Sequence, residues 1–210
     1  MTLVAISAAY GAGGSRIGPL VARELGVPFV DRAIPMQDAQ RVFAPKEGHD
    51  QPGWLERVLA GFVGAESSVT GPVATSASTA SEEFRRENDE LLVRQASSGE
   101  GVLLGRAAVA VLRDDPRVLR VRLYGPAQRR IEQAVGAFGA SRETAAEAVR
   151  NLDRTHDAYL EQFYGASIDD PALYHLMIDS TAVALDACAE LIAAAARAHA
   201  SMLLAPGDTG

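Results

Sequence analysis

The apolar residues of this chain form short uninterrupted runs that alternate with segments in which they recur every three or four positions. Short runs are typical of buried strands, whereas the recurring spacing is typical of helices with one buried face. The runs predict strands at residues 2–8, 26–31, 101–106, 117–125 and 174–180, and the spacing predicts helices at 15–25, 81–98, 127–138, 142–163 and 185–200. Two further helices are predicted within residues 34–65. Residues 66–81 are rich in Ser and Thr and predict a mobile loop.

Strands that alternate with helices predict an α/β protein with a mainly parallel sheet that is covered by helices on both faces. Ligands of such sheets bind at the carboxyl ends of the strands. Three polar segments follow predicted strands, at Gly11–Ser15, Asp31–Arg32 and Gly105–Arg106. We expect them to converge on one edge of the sheet and to form a binding site there.

The most distinctive segment is "AAYGAGGSRIG", residues 8–18, between the first strand and the first helix. The dinucleotide pattern G-x-G-x-x-G fails, because its third glycine falls on Arg16. Against the phosphate-loop pattern G-x-x-x-x-G-K-[ST], Ala8 takes the first glycine and Gly14 takes the lysine. Gly13 and Ser15 agree with the pattern, and the Ser15 hydroxyl is the group that would hold Mg²⁺.

This glycine-rich segment can bind phosphate without the lysine, because much of such a cradle consists of backbone N–H groups at a helix amino terminus. Gly11, Ala12, Gly13, Gly14 and Ser15 would supply it. The Arg16 guanidinium is a candidate replacement for the lysine ammonium. Two alternatives stay open: Arg16 points to solvent, or the segment is a tight turn without a ligand.

Composition and charge narrow the function classes. The length of 210 residues suits one domain, and the net charge of −7 argues against broad nucleic-acid binding. Nineteen of the 20 basic residues are arginines, a bias that suits phosphate binding but also arises from genomic composition. Because Cys188 is the only cysteine of the sequence, an internal disulfide is excluded. Cys188 is expected to be a buried core residue. The sequence shows neither a signal peptide nor some eighteen uninterrupted apolar residues, so we expect a cytoplasmic protein without a membrane segment.

Four ordered blocks resemble the cytidylate kinase-like proteins. They are "YGAGGSRIG", "LGVPFVDRAI", "LLGRAAVAVLRDDPRVLRVRLYGPAQRRI" and "LDRTHDAYLEQFYGASIDDPALYHLMIDST", which together cover most of the chain. Residues 40–90 match poorly. This resemblance implies a three-layer, phosphate-loop nucleoside-triphosphate-hydrolase-like fold in a single domain. It has a core (1–32, 99–138 and 172–203), a helical acceptor-binding region (about 33–98) and a helical lid (about 139–165).

The resemblance also implies site residues. The segment from Gly11 to Arg16 would cradle the triphosphate of ATP, with Ser15 on Mg²⁺. Asp31 and Arg32 would face the acceptor, and Arg106 would hold the acceptor's phosphate. The aspartate that follows this arginine in cytidylate kinases is Ala107 here, which weakens the expectation of cytidine as the base.

The lid implied by the resemblance would carry Arg150, Asp153, Arg154 and Asp157, although its spacing departs from the "RDxxDxxR" of cytidylate kinases. Arg150 and Arg154 are four residues apart, so both can reach one face of a helix and neutralise the phosphoryl group in transfer. The alternative is a solvated helix held by its own charges. His156 is expected to be a solvated surface histidine.

Two functions are therefore expected. The first is an ATP- and Mg²⁺-dependent kinase for a small acceptor, such as the nucleoside monophosphates CMP or dCMP. The second is a nucleotide-binding protein that has lost turnover and serves regulation or partner binding. In both cases the partner is a small nucleotide, without nucleic acid or membrane, and the protein is a monomer or a homodimer.

Overall fold

The computed structural model describes residues 2–31, 77–105 and 107–204. Five strands form one sheet in the order β2-β3-β1-β4-β5, and every adjacent pair is parallel. The strands are β1 (Leu3–Ala8), β2 (Phe29–Asp31), β3 (Gly101–Leu104), β4 (Val118–Tyr124) and β5 (Leu176–Asp179). The predicted parallel α/β architecture is confirmed.

Six α-helices are described in these residues, with a 3₁₀ turn at Pro171–Leu173. They are α1 (Gly14–Leu25), α2 (Ala77–Ser97), α3 (Ala108–Val111), α4 (Ala127–Phe138), α5 (Arg142–Tyr164) and α6 (Leu185–Leu204). The four-residue α3 and the 3₁₀ turn were not predicted, because one turn of helix is too short to show a periodic pattern.

The beginning of α2 corrects one sequence prediction. Residues 66–81 were expected to form a loop, but the helix already begins at Ala77. After Pro72 this stretch contains no Gly or Pro, so nothing in it interrupts a helix that extends backwards from its apolar part. The rest of the predicted loop and the two helices predicted within 34–65 lie outside the described residues.

The sheet separates two apolar cores because residues of each strand alternate between its faces. Val4 and Ile6 pack with α1 and α6 on one face. Leu3 and Ala5 pack with α2, α3 and the 3₁₀ turn on the other. This double burial explains why β1 reads as a continuous apolar run.

Helix α6 is, by length and composition alone, apolar enough to cross a membrane. Its buried residues, which include Cys188 and Ile192, belong to the core that α1 shares. Burial also raises the pKa of the Cys188 thiol, as expected for a packed thiol. Because the core helix of a soluble protein passes the same length and composition test, α6 is weak evidence for a membrane span.

Helix α5 follows α4 and packs along it. Its first turn is capped by Ser141, whose Oγ accepts a hydrogen bond from the Thr144 N–H at 3.1 Å. At its far end the Tyr164 hydroxyl donates to Asp89 of α2 at 2.7 Å. The cap stabilises the first turn of α5, and the hydrogen bond from Tyr164 fastens its far end to α2.

Candidate active site at the glycine loop

The glycine loop, which we define as residues 9–13, connects β1 directly to α1. Gly11 and Gly13 have φ angles of 78° and 75°, a left-handed backbone that residues with side chains rarely adopt. Gly13 is the amino-terminal cap of α1 and offers no side chain to the helix. Among the described residues, the N–H groups of Gly14 and Ser15 have no hydrogen-bond partner. These donors and the helix dipole make the end of α1 suitable for an oxyanion.

Two side chains from distant parts of the chain fix the glycine loop. The Ser180 hydroxyl, just after β5, donates to the Ala12 carbonyl oxygen at 2.7 Å. The Arg130 Nη1 donates to the Tyr10 carbonyl oxygen at 2.9 Å. Since both bonds go to loop carbonyls, they hold these oxygens away from the site and leave the N–H groups for a ligand.

Arg130 is the central connector of the site. Its guanidinium is almost buried, its Nε donates to the Gly125 carbonyl oxygen at 2.8 Å, and its two Nη atoms pair with the Asp153 carboxylate at 3.1 and 2.6 Å. Arg130 thus ties the glycine loop, α4 and α5 together with a two-pronged ion pair. Sequence reasoning missed it, although Arg130 shares the buried stripe of α4 with Ala134, four residues on.

Gly11 fits the loop without room for a side chain. A Cβ atom at Gly11 would collide with the Arg130 carbonyl oxygen. Because this neighbour is backbone, it cannot swing aside. The glycine is therefore required both by its φ angle and by the close approach of α4.

Gly14 stands where the phosphate-loop pattern has lysine, and its surroundings explain why the chain carries glycine there. A Cβ atom at Gly14 would lie 2.6 Å from the Ala8 Cβ and 3.2 Å from the Leu104 Cδ1. Ala8 itself occupies the position of the pattern's first glycine. The two departures from the pattern are thus linked, because the Ala8 methyl group fills the space that a side chain at position 14 needs.

An open cleft of about 300 Å³ adjoins the glycine loop. It lies between α4 and the turn that leads from β5 to α6. Its lining residues are Arg129, Glu132, Gln133, Ser180, Thr181, Val183, Ala184 and Leu185. A Cβ atom at Gly13 would lie 2.9 Å from the Leu185 Cδ2 and 3.1 Å from the Gln133 Nε2, so the cleft begins directly at the loop.

An acidic group stands beside this cleft. The Thr181 hydroxyl donates to Asp179 at 2.6 Å and Arg129 lies 3.5 Å from the same carboxylate. The hydrogen bond from Thr181, followed by its backbone N–H and the charge of Arg129, holds the pKa of Asp179 below its usual range. Asp179 is therefore an anion at neutral pH and keeps Arg129 oriented along the cleft.

The structure brings several predicted site residues to this edge. Ser15 and Arg16 are exposed in the first turn of α1, and the Arg16 side chain forms no hydrogen bond or ion pair with a described residue. Asp31 ends β2 opposite Leu104. The predicted Arg32 and Arg106 lie outside the described residues.

The predicted lid residues divide into two groups on α5. Arg150 and Arg154 are exposed. Asp153 pairs with Arg130, and the Asp157 carboxylate accepts from the Ile168 N–H at 3.3 Å. The two acidic residues therefore fasten α5 to its neighbours, while the two arginines remain available for a ligand.

His156 corrects another expectation, since it is not a solvated surface histidine. It is only partly exposed on α5. Burial, and then the positive charge of Arg122, lower the pKa of its imidazole to about 4. His156 is therefore neutral at pH 7. The periodicity of a charged helix gave no sign that an arginine from β4 lies beneath it.

No group of three or more His, Cys, Asp or Glu side chains that could hold a metal ion occurs among the residues the structure describes. Mg²⁺ usually keeps several waters and binds together with substrate phosphates, so a site for it needs few protein ligands. The Ser15 hydroxyl, exposed in the first turn of α1, is one oxygen that could take part.

Three solved structures are similar to this chain over most of its length. An uncharacterized protein from Eubacterium ventriosum superimposes with a TM-score of 0.66 at 14% identity, covering 94% of this chain and 99% of that one. A deoxyadenosine kinase from M. mycoides has a TM-score of 0.49 at 13% identity, with coverage of 93% and 98%. A shikimate kinase from Acinetobacter baumannii has a TM-score of 0.46 at 16% identity, with coverage of 91% and 90%.

No curated protein matches the chain. The model of the cytidylate kinase-like family matches residues 3–182, which contain the glycine loop, the five-stranded sheet and α5. The chain therefore belongs to the cytidylate kinase-like family, and its fold is a parallel α/β sheet covered by helices.

Proposed function

We propose that the protein transfers the terminal phosphoryl group of ATP, with Mg²⁺, to a nucleoside monophosphate such as CMP or dCMP. The observation that carries the proposal is the glycine loop, which presents unpartnered N–H groups at the start of α1, at the carboxyl edge of a parallel sheet. Membership of a kinase-like family gives the reaction class. The identity of the acceptor rests on the resemblance alone.

The donor would extend from the cleft across the glycine loop. The cleft beside Gly13 has room for a purine base, and Gln133 supplies an amide that can hydrogen-bond its edge. The triphosphate would lie on the backbone from Gly11 to Arg16. Ser15 would hold Mg²⁺, which when bound neutralises phosphate charge and fixes the phosphates in line for transfer.

The acceptor would bind on the other side of the loop. Asp31, Arg32 and Arg106 are proposed to hold it, within the region of about residues 33–98 and the end of β3. The part from about 139 to 165, which contains α5, is proposed as the lid over a core of 1–32, 99–138 and 172–203. The enzyme would work in the cytoplasm as a monomer or homodimer, without nucleic acid or a membrane.

Phosphoryl transfer gives arginines a direct role. The reaction needs the attacking and leaving oxygens in line and the migrating charge neutralised, while the protein supplies little covalent chemistry. Arg150 and Arg154 are exposed on α5 and carry no ion pair with a described residue. We assign them to the transferred group and Arg16 to the charge that develops on the leaving oxygen.

A transfer assay with ATP and Mg²⁺ across the common nucleoside monophosphates tests the proposal. The wild-type protein should phosphorylate at least one of them. Gly11→Ala should abolish the transfer, since its Cβ atom would collide with the Arg130 carbonyl oxygen. Gly139→Ala is the matched control, because Gly139 also has a positive φ (65°) but open space around it. No transfer to any monophosphate by a folded wild-type protein would refute the kinase.

A second function is favoured by one observation. Because the Ala8 methyl group prevents a lysine at position 14, the loop lacks the usual cation of phosphate loops. A protein that binds nucleotide but does not turn it over, and serves regulation or partner binding, would need no such cation. Tight ATP binding together with absent transfer would support this alternative and exclude the first function.

A further inference from the structure

Arg122 of β4 is a buried cation that the proposed chemistry does not use. Only 5% of this residue is exposed, and its Nη1 donates to the Ser7 Oγ at 3.0 Å. Its Nε is buried and has no hydrogen-bond partner. No carboxylate of a described residue pairs with its guanidinium within 4 Å. An unpaired buried charge is costly, so a chain that keeps one has a use for it.

The sheet register places Arg122 near the carboxyl ends of the strands, where the glycine loop begins. Ser7 of β1 is the register partner of Arg122 and lies immediately before the loop-bearing end of that strand. On the other side of β1, the Gly105 N–H donates to the Ile6 carbonyl oxygen. Arg122, Ser7 and the turn after β3 therefore lie side by side on adjacent strands at the carboxyl edge.

The groups around Arg122 favour an anion over any other ligand. His156 of α5 is neutral at pH 7 and can donate a hydrogen bond, but it brings no negative charge. Tyr174 contributes a hydroxyl next to Ser7. Burial raises the pKa of this hydroxyl, and the positive charge of Arg122 offsets part of the rise. Asp153 is already paired with Arg130. The carboxylates of Asp169 and Asp153 act on Arg122 through their charge. Neither forms an ion pair with the guanidinium, so the buried Nε–H remains available to an external anion.

We propose that Arg122 and Ser7 form an oxyanion subsite that binds the phosphate of the acceptor, which enters when α5 moves away from the sheet. The guanidinium would give its free Nε–H to a phosphate oxygen, and the Ser7 hydroxyl would position the guanidinium. The identity of the acceptor, though not the subsite, rests on the proposed function.

The unpartnered Nε supplies a direct measurement. In a nitrogen–proton NMR spectrum of the arginine side chains, the Arg122 Nε–H signal is the one that disappears in Arg122→Met. Inorganic phosphate and CMP should shift this signal, whereas cytidine should not. The Arg120 Nε–H is the internal control, because it already donates to the Leu173 carbonyl oxygen at 2.8 Å. An Arg122 signal that neither phosphate nor CMP moves overturns the proposal.

Affinity and stability provide the second readout. Arg122→Met should weaken CMP binding about ten- to a hundredfold, since a charge-assisted hydrogen bond is lost, and leave ATP binding unchanged. Without anion, Arg122→Met should be at least as stable as the wild-type protein, because it removes an unpaired buried charge. A purely structural arginine would instead destabilise the protein when removed and leave CMP affinity unaltered, which would refute the subsite. Arg122→Lys, which also removes the Nε–H signal, serves if the methionine variant does not fold.

The outcomes separate the subsite from the kinase reaction. If the Nε–H responds to phosphate but no monophosphate is phosphorylated, the subsite stands and the proposed function fails. If transfer to a monophosphate occurs while the Nε–H signal stays unmoved, the proposed function stands and the subsite is wrong.

Discussion

The contact between Ala8 and position 14 leads to a quantitative prediction about the altered phosphate loop. In Gly14→Ala the new methyl carbon would lie 2.6 Å from the Ala8 Cβ, whereas ordinary contacts between carbons are about 3.5–4.0 Å. Overpacking of this kind costs roughly 1–3 kcal/mol. Gly14 has no positive φ angle, so the cost comes from packing and not from backbone strain.

A double-mutant cycle isolates this cost. Ala8→Gly alone should lose about 0.5–1 kcal/mol, as expected for glycine within a strand. In the Ala8→Gly/Gly14→Ala protein the clash is gone, so the two changes should couple by at least about 1 kcal/mol in urea unfolding. Values that add within about 0.5 kcal/mol would refute the steric explanation. Gly136→Ala is the control, because no atom lies within 4 Å of its Cβ position.

The same reasoning predicts how lysine can be restored. Gly14→Lys alone should be destabilised and inactive, whereas Ala8→Gly/Gly14→Lys should fold well, because the space of the Ala8 methyl group becomes available. Unfolding midpoints and phosphate transfer from ATP, measured side by side on both variants, check this. Equal stability of the single and double variants would contradict it.

Three further predictions concern charged groups around the loop. Arg16→Ala should slow transfer about a hundred- to a thousandfold without loss of stability, as expected for a preorganised cation, and a kcat equal to that of the wild type would exclude this role. Asp153→Asn should lower the free energy of unfolding by about 2 kcal/mol, because the almost buried Arg130 loses its charged partner. The loss stays moderate because Asp153 itself is partly exposed. Urea titrations measure this free energy, and a loss below about 0.5 kcal/mol would contradict the prediction. The pKa of His156 is about 4 in the folded protein and about 6.5 in the unfolded chain. Between these pH values His156 is protonated only in the unfolded state, so the free energy of unfolding falls by up to about 3 kcal/mol as the pH drops from 6.5 to 4. His156→Gln should remove this part of the pH dependence, and an unchanged slope would show that His156 does not cause it.

Most of the fold could be predicted from the chain because local pattern and tertiary burial agree. The continuous apolar run of β1 and the amphipathic spacing of α1 each leave one solution, and their alternation gives the parallel sheet. The start of α2 was misplaced, since a run of Ala, Ser and Thr carries no apolar signal and the helix extends into it for lack of a breaker.

The site was only partly predictable from the sequence. A backbone with positive φ angles favours glycine, so the cluster of glycines in the sequence located the loop. The roles of Arg130, Arg122 and His156 depend on which side chains meet between strands and helices far apart in the chain. Ser7 and Arg122, for example, are 115 positions apart and meet only through the register of β1 and β4. Side-chain contacts of this kind produce no periodic pattern in the sequence.

The central claim is that the backbone of the glycine loop and the start of α1 cradle the phosphates of a nucleotide without a lysine. A crystal structure grown with Mg²⁺ and a non-hydrolysable ATP analogue tests it most directly. We predict phosphate oxygens within hydrogen-bond distance of the N–H groups of Gly13, Gly14 and Ser15, with the base in the cleft beside Gln133. A nucleotide bound away from the loop, or a loop left empty at saturating analogue, would contradict the account.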